Sequence, residues 1–239
     1  MSKTNIRFDR ERFEKALNYY GPKGLKPQTA ELRLEAEFVK GNGVYSFEVN
    51  REGAKRLTET LLKRNDLFVV KGFFVGLMIE TIGKEGHAPI LSYPLLETAA
   101  LPTGYKGFAN ADAEAVYSGK MSITTGSAVN YQGLPLRRFR YVPETQPVVV
   151  VDGETLKSAG LIPQFDMDQL LLNLPEQFAF AGTKDQKVTI SFPANATTDI
   201  KPVANTEKAY LVLIVDGWLI EGGTNPSFKE QSNPFASLI

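Results

Sequence analysis

Residues 67–79 read Leu67-Phe68-Val69-Val70-Lys71-Gly72-Phe73-Phe74-Val75-Gly76-Leu77-Met78-Ile79, the most apolar run in the first half of the chain. A similar run stands near the C-terminus, at residues 211–220: Leu211-Val212-Leu213-Ile214-Val215-Asp216-Gly217-Trp218-Leu219-Ile220. Each run is an apolar block, one charged residue, a glycine and a second apolar block. Such runs predict buried strands around which a β fold is organised. The glycines at 72 and 76 indicate a bulge or a close backbone approach within the first strand.

The two runs belong to a faint internal repeat with an offset of 145 residues. Six identities fall within the 30 aligned positions 46–75, and the apolar blocks stay in phase. The identical pairs are Ser46/Ser191, Phe47/Phe192, Asn50/Asn195, Lys63/Lys208, Val70/Val215 and Gly72/Gly217. The repeat indicates two related β units in one chain.

Composition narrows the class of protein. The 239 residues suffice for one large or two small β domains, and 43% apolar with 23% charged residues is ordinary for a soluble globular protein. No apolar run is long enough for a membrane helix, and the first residues lack the apolar core of a signal peptide, so we expect no Sec export. The chain has no cysteine and one histidine, His87, which excludes disulfides, thiol nucleophiles and thiolate zinc sites.

Charge is unevenly distributed along the chain. Residues 1–140 carry 21 Lys and Arg against 15 Asp and Glu, a net of +6, and residues 141–239 carry 6 against 12, a net of −6. This asymmetry fits head-to-tail contact between copies, or one face turned toward a polyanion. Chance drift in surface composition is the alternative.

An amphipathic helix is predicted over residues 6–20, with Ile6, Phe13, Leu17 and Tyr20 on one face. Asp9 is a candidate N-cap, and Gly21-Pro22 ends the helix. A basic helix of this kind lies on a membrane, contacts nucleic acid, or packs on its own domain or a neighbouring subunit; the last is the commoner case. The candidate contacts with an interface or a polyanion are Arg7, Arg10 and Arg12 in this helix, and Arg137, Arg138 and Arg140 further along.

Period-two alternation dominates the rest of the chain. Residues 29–38 predict a strand whose glutamates, including Glu35 and Glu37, face water, and Gly41-Asn42-Gly43 predicts a hairpin-type turn into residues 44–49. We predict a short helix over 54–62, and further strands over 115–124, 128–131, 136–142, 148–151 and 188–192. In all, nine to twelve strands predict an all-β fold: a β-sandwich or jelly roll, or a compact double jelly roll, with a short N-terminal helix.

The predicted domain organisation has four parts. Residues 1–26 form an N-terminal helical arm, 27–145 a first jelly-roll-like β-sandwich unit, 146–222 a second and smaller β unit, and 223–239 a flexible C-terminal tail. The tail ends in an apolar segment that either docks on a neighbour or stays disordered.

Motifs of catalysis are missing from the sequence. No phosphate-binding glycine loop and no Gly-x-Ser-x-Gly elbow occur. The pairs Asp166/Asp168 and Glu35/Glu37 are the remaining candidates for acid–base chemistry, but a helix cap or turn, and a solvent-facing strand, explain them better. We therefore predict no enzymatic activity, no metal, no cofactor and no small-molecule substrate.

The segments Asn65-Asp66-Leu67-Phe68-Val69-Val70-Lys71-Gly72-Phe73 and Tyr117–Ile123 through Leu136–Thr145 resemble capsid proteins of tailless icosahedral bacterial viruses, which are built on one or two jelly rolls. The resemblance implies a shell-forming viral structural protein that is located in the virion and assembled in the host cytoplasm. It also implies a homotrimer or larger shell as the self-associated state, other virion proteins as partners, and contact of the N-terminal helix with an internal membrane or the genome. At 239 residues the chain is short for two full jelly rolls.

Two other functions remain open. The first is a carbohydrate- or surface-binding β-sandwich module, receptor-binding or accessory in a virion, that uses the loop 83–111 with Tyr93 and Tyr105 as its platform. The second is a glycosidase-like hydrolase that uses Asp166.

Overall fold

The protein is described by a computed structural model. It describes residues 3–94, 107–109, 111–126, 128–141, 147–152, 155–161, 171–173, 178–193, 199–226 and 233–235.

Strands dominate the described residues. The α-helix α1 spans Lys3–Tyr20, and short 3-10 helices span Gly21–Lys23, Ala111–Ser118 and Leu136–Phe139. The strands are β1 Gln28–Glu37, β2 Val44–Glu48, β3 Leu67–Thr81, β4 Lys120–Thr125, β5 Ala128–Pro135, β6 Pro147–Asp152, β7 Thr155–Leu161, β8 Leu172–Asn173, β9 Ala179–Ala181, β10 Gln186–Ser191 and β11 Glu207–Ile220.

Two antiparallel sheets enclose the main core. Sheet A has the order β1-β11-β3-β8, with β9 also paired to β3, and sheet B has the order β2-β10-β4-β5. Their facing side chains form one cluster, which includes Phe47 and Val188 of sheet B and Phe73 and Leu213 of sheet A. The predicted all-β fold with a short N-terminal helix is confirmed at this level, and the arrangement is that of a β-sandwich.

Both faces of sheet A are covered, and this explains the continuous apolar runs of β3 and β11. Inward residues join the main core, whereas Leu67, Val69 and Ile220 pack outward in a second cluster with Ala16 and Tyr20 of α1. Further along the outer face, Phe74, Met78 and Val212 form a third cluster, against which Ile90 packs. A strand that is buried on both faces has no solvent-exposed face, so its sequence does not alternate between apolar and polar residues.

The internal repeat has a geometric counterpart in the sandwich. Tyr45 of β2 lies opposite Ile190 of β10, its own counterpart at the offset of 145 residues. In sheet A, Gly72 of β3 lies opposite Asp216, beside its counterpart Gly217. Antiparallel pairing of equivalent residues defines a local two-fold axis that passes through both sheets. The two copies of the repeat therefore meet as neighbours.

Flanking strands follow the same symmetry in sheet A. Residues 179–181 of β9 are the counterparts of residues 34–36 of β1. β1 pairs with β11, and β9 pairs with β3, the counterpart of β11. Strands from before and after residue 146 thus share both sheets. The predicted boundary between residues 145 and 146 lies outside the described residues, and the division into units stays a prediction.

The predicted irregularity in the central strand is confirmed. The register of β3 against β11 shifts at Asp216/Gly217, so that Lys71 is the extra residue of a bulge. Gly76 is a close approach, because a Cβ atom there would lie 2.5 Å from Cγ2 of Ile90 and 2.9 Å from the carbonyl oxygen of Leu91.

The turn after β1 is not a hairpin. The amide of Asn42 donates to the carbonyl of Val39 over 3.0 Å, which forms the predicted turn. However, β1 lies in sheet A and β2 in sheet B, so the turn carries the chain from one sheet to the other. Beyond it the predicted alternation is confirmed, with Tyr45, Phe47 and Val49 buried.

Three local predictions are wrong. Residues 54–62 form turns and a single bridge rather than a helix. Residues 115–118 and 136–139 lie in 3-10 helices where strands were predicted, although Lys120–Thr125 is a strand. Leu172–Asn173 forms β8, and residues 162–170, with Asp166 and Asp168, lie outside the described part.

The end of α1 and Phe235 meet on the outer face of sheet A. α1 starts at Lys3, so Asp9 lies within the helix and is not its N-cap. The ring of Trp218, predicted as core, is half-buried beneath the helix, 5.7 Å from that of Phe13. Phe235, from the tail predicted to dock on a neighbour or to be disordered, is buried 6.2 Å from the ring of Tyr20. Part of the tail therefore packs on its own chain.

Candidate functional site

One hairpin lies outside both sheets. β6 and β7 pair with each other, from Asp152 opposite Thr155 to Pro147 opposite Leu161, and with no other strand of the described residues. β6 contains four consecutive valines, Val148–Val151, so both of its faces are apolar. An isolated two-stranded hairpin is marginally stable in water. The apolar sequence of β6 therefore predicts that the hairpin pairs with, or packs on, another protein surface.

β2 offers an open edge. The amide of Phe192 donates to the carbonyl of Gly43 over 2.8 Å, and the amide of Val49 donates to the carbonyl of Gln186 over 3.0 Å. In an antiparallel pair, alternate residues bond to the partner, so the intervening residues of β2 turn their backbone groups away from β10. The amides of Ser46 and Glu48 have no hydrogen-bond partner among the described residues, and both side chains are exposed.

The other long edges of the sandwich are less accessible. The edge of β1 is covered by Thr60, whose amide donates to the carbonyl of Arg33 over 2.9 Å while the amide of Arg33 donates to the carbonyl of Thr60 over 3.0 Å. β5 pairs irregularly with β4, with two register shifts, and ends at Pro135. Bulges and proline are common protections of a strand edge. β2, by contrast, pairs with β10 in unbroken register.

Exposed apolar side chains flank the start of β2. Val44 is 54% exposed and Val39, just across the turn, is 57% exposed. Ile82, 59% exposed, lies at the same end of the sandwich, where its amide donates to the carbonyl of Thr206 over 3.0 Å. Exposed apolar patches on soluble proteins mark interaction surfaces.

The predicted arginines of α1 have different environments. Arg10 is exposed and pairs with Glu14 over 2.8 Å. Arg12 is buried, and its guanidinium donates to the carbonyls of Val70 and Lys71, each over 3.4 Å. Arg12 therefore holds α1 to the bulge of β3, which satisfies two carbonyls. The side chain of Arg7 lies outside the described residues, and contact of these arginines with a polyanion stays a prediction.

The second arginine cluster lies on a 3-10 turn. Arg137, Arg138 and Arg140 are exposed, and Leu136 and Phe139 are buried beneath them. The predicted alternation of these residues on a strand is therefore wrong. Arg140 forms two bonds of 3.1 Å to the carboxylate of Glu114 in its own chain.

A buried network of charges was missed by sequence reasoning. Arg56 pairs with both Glu35 and Glu80, and Arg51 pairs with Glu59. The three carboxylates are almost fully buried, so Glu35 does not face water as predicted; Glu37, on the same face of β1, is exposed. This network fixes residues 51–59 to the outer face of sheet A, with charges paired at each buried carboxylate.

Glu59 organises the chain around it. Its carboxylate accepts the amides of Lys55 over 2.7 Å, of Arg56 over 3.0 Å and of Glu35 over 3.0 Å, besides the guanidinium of Arg51. Burial by itself would raise the pKa of this carboxyl. The hydrogen bonds from Arg51 and from the backbone amides outweigh burial, and the net pKa of Glu59 is lowered from its ordinary value of 4.5.

Acid should therefore weaken the protein through Glu59. A carboxyl with a lowered pKa contributes stability that is fully present above its unfolded pKa and is lost as pH falls through the folded pKa. We expect Glu59→Gln to lower the free energy of unfolding at neutral pH. The difference in this free energy between the variant and the wild type should narrow as the pH falls from about 6 to about 3. Urea titrations across this range measure it, with the exposed Glu52→Gln as the control. A difference in free energy of unfolding that stays constant with pH would contradict the lowered pKa of Glu59.

The remaining candidates separate in the structure. His87 is exposed. Within the loop 83–111, Leu91 bridges to Leu77 of β3 and Tyr93 is half-buried, whereas Tyr105 lies outside the described residues. No group of three or more His, Asp or Glu side chains in the described part is placed to hold a metal ion. No described helix has the length and hydropathy needed to cross a membrane.

Comparison of the chain with protein-family models, curated proteins and solved structures gives no match. The candidate site is therefore defined by geometry alone: the hairpin β6–β7 and the open edge of β2.

Proposed function

We propose that this protein is a structural protein without enzymatic activity that associates with copies of itself to form a shell. The hairpin β6–β7 carries the proposal, because a hairpin with one apolar strand, β6, that pairs with neither sheet in the described part of the chain is suited to pair with another chain. The open edge of β2 and the exposed valines beside it support the same function.

A finer form of the proposal rests on the sequence resemblance. In that form the sandwich is a jelly roll, and the chain is a capsid protein of a tailless icosahedral bacterial virus, located in the virion and assembled with other virion proteins. The pseudo-symmetric sandwich, to which both copies of the repeat contribute, is compatible with a duplicated capsid fold. Symmetric homo-oligomers are the usual assembly of such chains.

Light scattering coupled to size exclusion tests the proposal on the full chain. We expect a mass that is a multiple of 26.4 kDa and rises with protein concentration, with negative-stain images of discrete rings or closed shells. A monomer at every concentration and salt condition would overturn self-association. Glycan-array binding by that monomer would then favour the carbohydrate-binding alternative.

A further inference from the structure

The local two-fold axis reveals a vacant position beside β2. In sheet B, β10 has β2 on one side and β4 on the other, and β5 follows β4. The axis exchanges β2 with β10. It therefore makes the free edge of β2 equivalent to the edge of β10 that the hairpin β4–β5 occupies. That equivalent position holds no strand of the described residues.

We infer that the hairpin β6–β7 of a second copy fills this position by pairing β6 along the free edge of β2. The inference rests on the proposed self-association and names its contact. Sheet B would then continue across the interface as β7-β6-β2-β10-β4-β5, and each sandwich would gain the strands that its pseudo-symmetry lacks.

The two surfaces match in length and in hydrogen bonding. β2 has five residues and β6 has six. The outward amides of Ser46 and Glu48 supply donors, and the carbonyls of the same two residues supply acceptors, for one ladder of strand addition. Val44 and Val39 give the edge an apolar margin, which suits the valine-rich sequence of β6.

The choice of β6 over β7 follows from sequence. Val148–Val151 has the β-branched composition of a paired strand, whereas β7 contains Lys157 and Gly160. Lysine is common on edges that remain open, and glycine weakens a strand interior. β6 therefore faces the neighbouring copy, and β7 forms the new outer edge.

Cross-linking tests the contact directly, because the chain contains no cysteine. Ser46→Cys chains are mixed with chains of different tag length that carry one cysteine at 148, 149, 150 or 151, and a short bifunctional thiol reagent is added. We expect Ser46→Cys to give a covalent dimer that contains one chain of each tag length. Asn130→Cys, exposed on the edge strand β5, is the matched control and should give little product.

Association is measured in parallel with Ser46→Pro. Proline removes the outward amide of Ser46 but leaves the bonds between β2 and β10, so the fold is retained. We expect the dissociation constant to rise at least tenfold, a change of about 1.4 kcal/mol, while Ser46→Thr, which keeps the amide, associates like the wild type. Circular dichroism and thermal unfolding verify that both variants fold.

The outcomes separate this inference from the proposed function. The β2 contact would be overturned if oligomers cross-linked through Asn130→Cys rather than Ser46→Cys, or if a folded Ser46→Pro associated like the wild type. Either result would leave self-association standing. A chain carrying both Ser46→Cys and a β6 cysteine that cross-links only within monomers would overturn exchange between copies. A wild-type monomer at all concentrations would overturn both.

Discussion

We expect Arg56→Met to lower the free energy of unfolding by about 3–5 kcal/mol, the cost of breaking a buried ion pair by removing one partner. Arg56 pairs with Glu35 and Glu80, and its guanidinium lies 3.9 Å from the ring centre of Tyr210. Methionine keeps much of the side-chain volume but leaves two buried carboxylates without their shared cation. At about 2–4 °C per kcal/mol for a chain of this size, calorimetry should show a melting temperature lower by about 10 °C.

The matched control is an exposed ion pair between β1 and β11. Lys208 pairs with Glu37 over 2.9 Å, and the two side chains are 43% and 44% exposed. Lys208→Met should change the free energy of unfolding little, because water solvates Lys208 and Glu37 in the pair and solvates Glu37 once the pair is gone. Equal losses in the two variants would show that the buried network is no more important than a surface pair.

We expect Gly217→Ala to cost about 2–3 kcal/mol, in the range of an overpacked core. Gly217 lies at the bulge between β11 and β3, where a Cβ atom would lie 2.2 Å from the carbonyl oxygen of Val69 and 2.8 Å from the ring of Phe68. The paired backbones must separate to admit a methyl group, which weakens the central pair of sheet A. Chemical denaturation of the two proteins measures the difference.

Gly43→Ala provides the control for Gly217→Ala. A Cβ atom at Gly43 would meet nothing within 4 Å, and the residue does not have a positive φ. The loss of chain entropy in the unfolded state then makes the alanine neutral or stabilising by about 0.4–1 kcal/mol. A destabilised Gly43→Ala, or an unchanged Gly217→Ala, would contradict the geometry at these positions.

Period-two alternation predicted a strand correctly where one strand face meets water and the other meets the core. The alternation predicted over residues 44–49 is confirmed, because Tyr45, Phe47 and Val49 are buried and their neighbours in β2 are exposed. The same rule failed at Glu35, because its outward side is covered by residues 51–59, which arrive from elsewhere in the chain. Those residues have the composition of a solvated surface, and only their partners on β1 and β3 make them part of the interior.

The sequence contained a signal for one missed element, and it left the pairing of the repeat open. Leu136 and Phe139 are the buried residues of a 3-10 helix, and their spacing of three, rather than two, indicates that helix. The repeat identified related segments, but a repeat does not specify whether its copies form separate sheets or pair with each other. The register of Tyr45 against Ile190 settles how they pair in the structure.

The position of β11 determines when the sandwich can form. β11 lies between β1 and β3, although it follows them by more than a hundred residues of chain. Until residues 207–220 leave the ribosome, the two earlier strands have no partner between them, and their apolar faces stay open. Contacts this distant in sequence slow folding and lengthen the exposure of unpaired strands. Sheet A can therefore be completed only after residues 207–220 are made, because β11 joins β1 to β3.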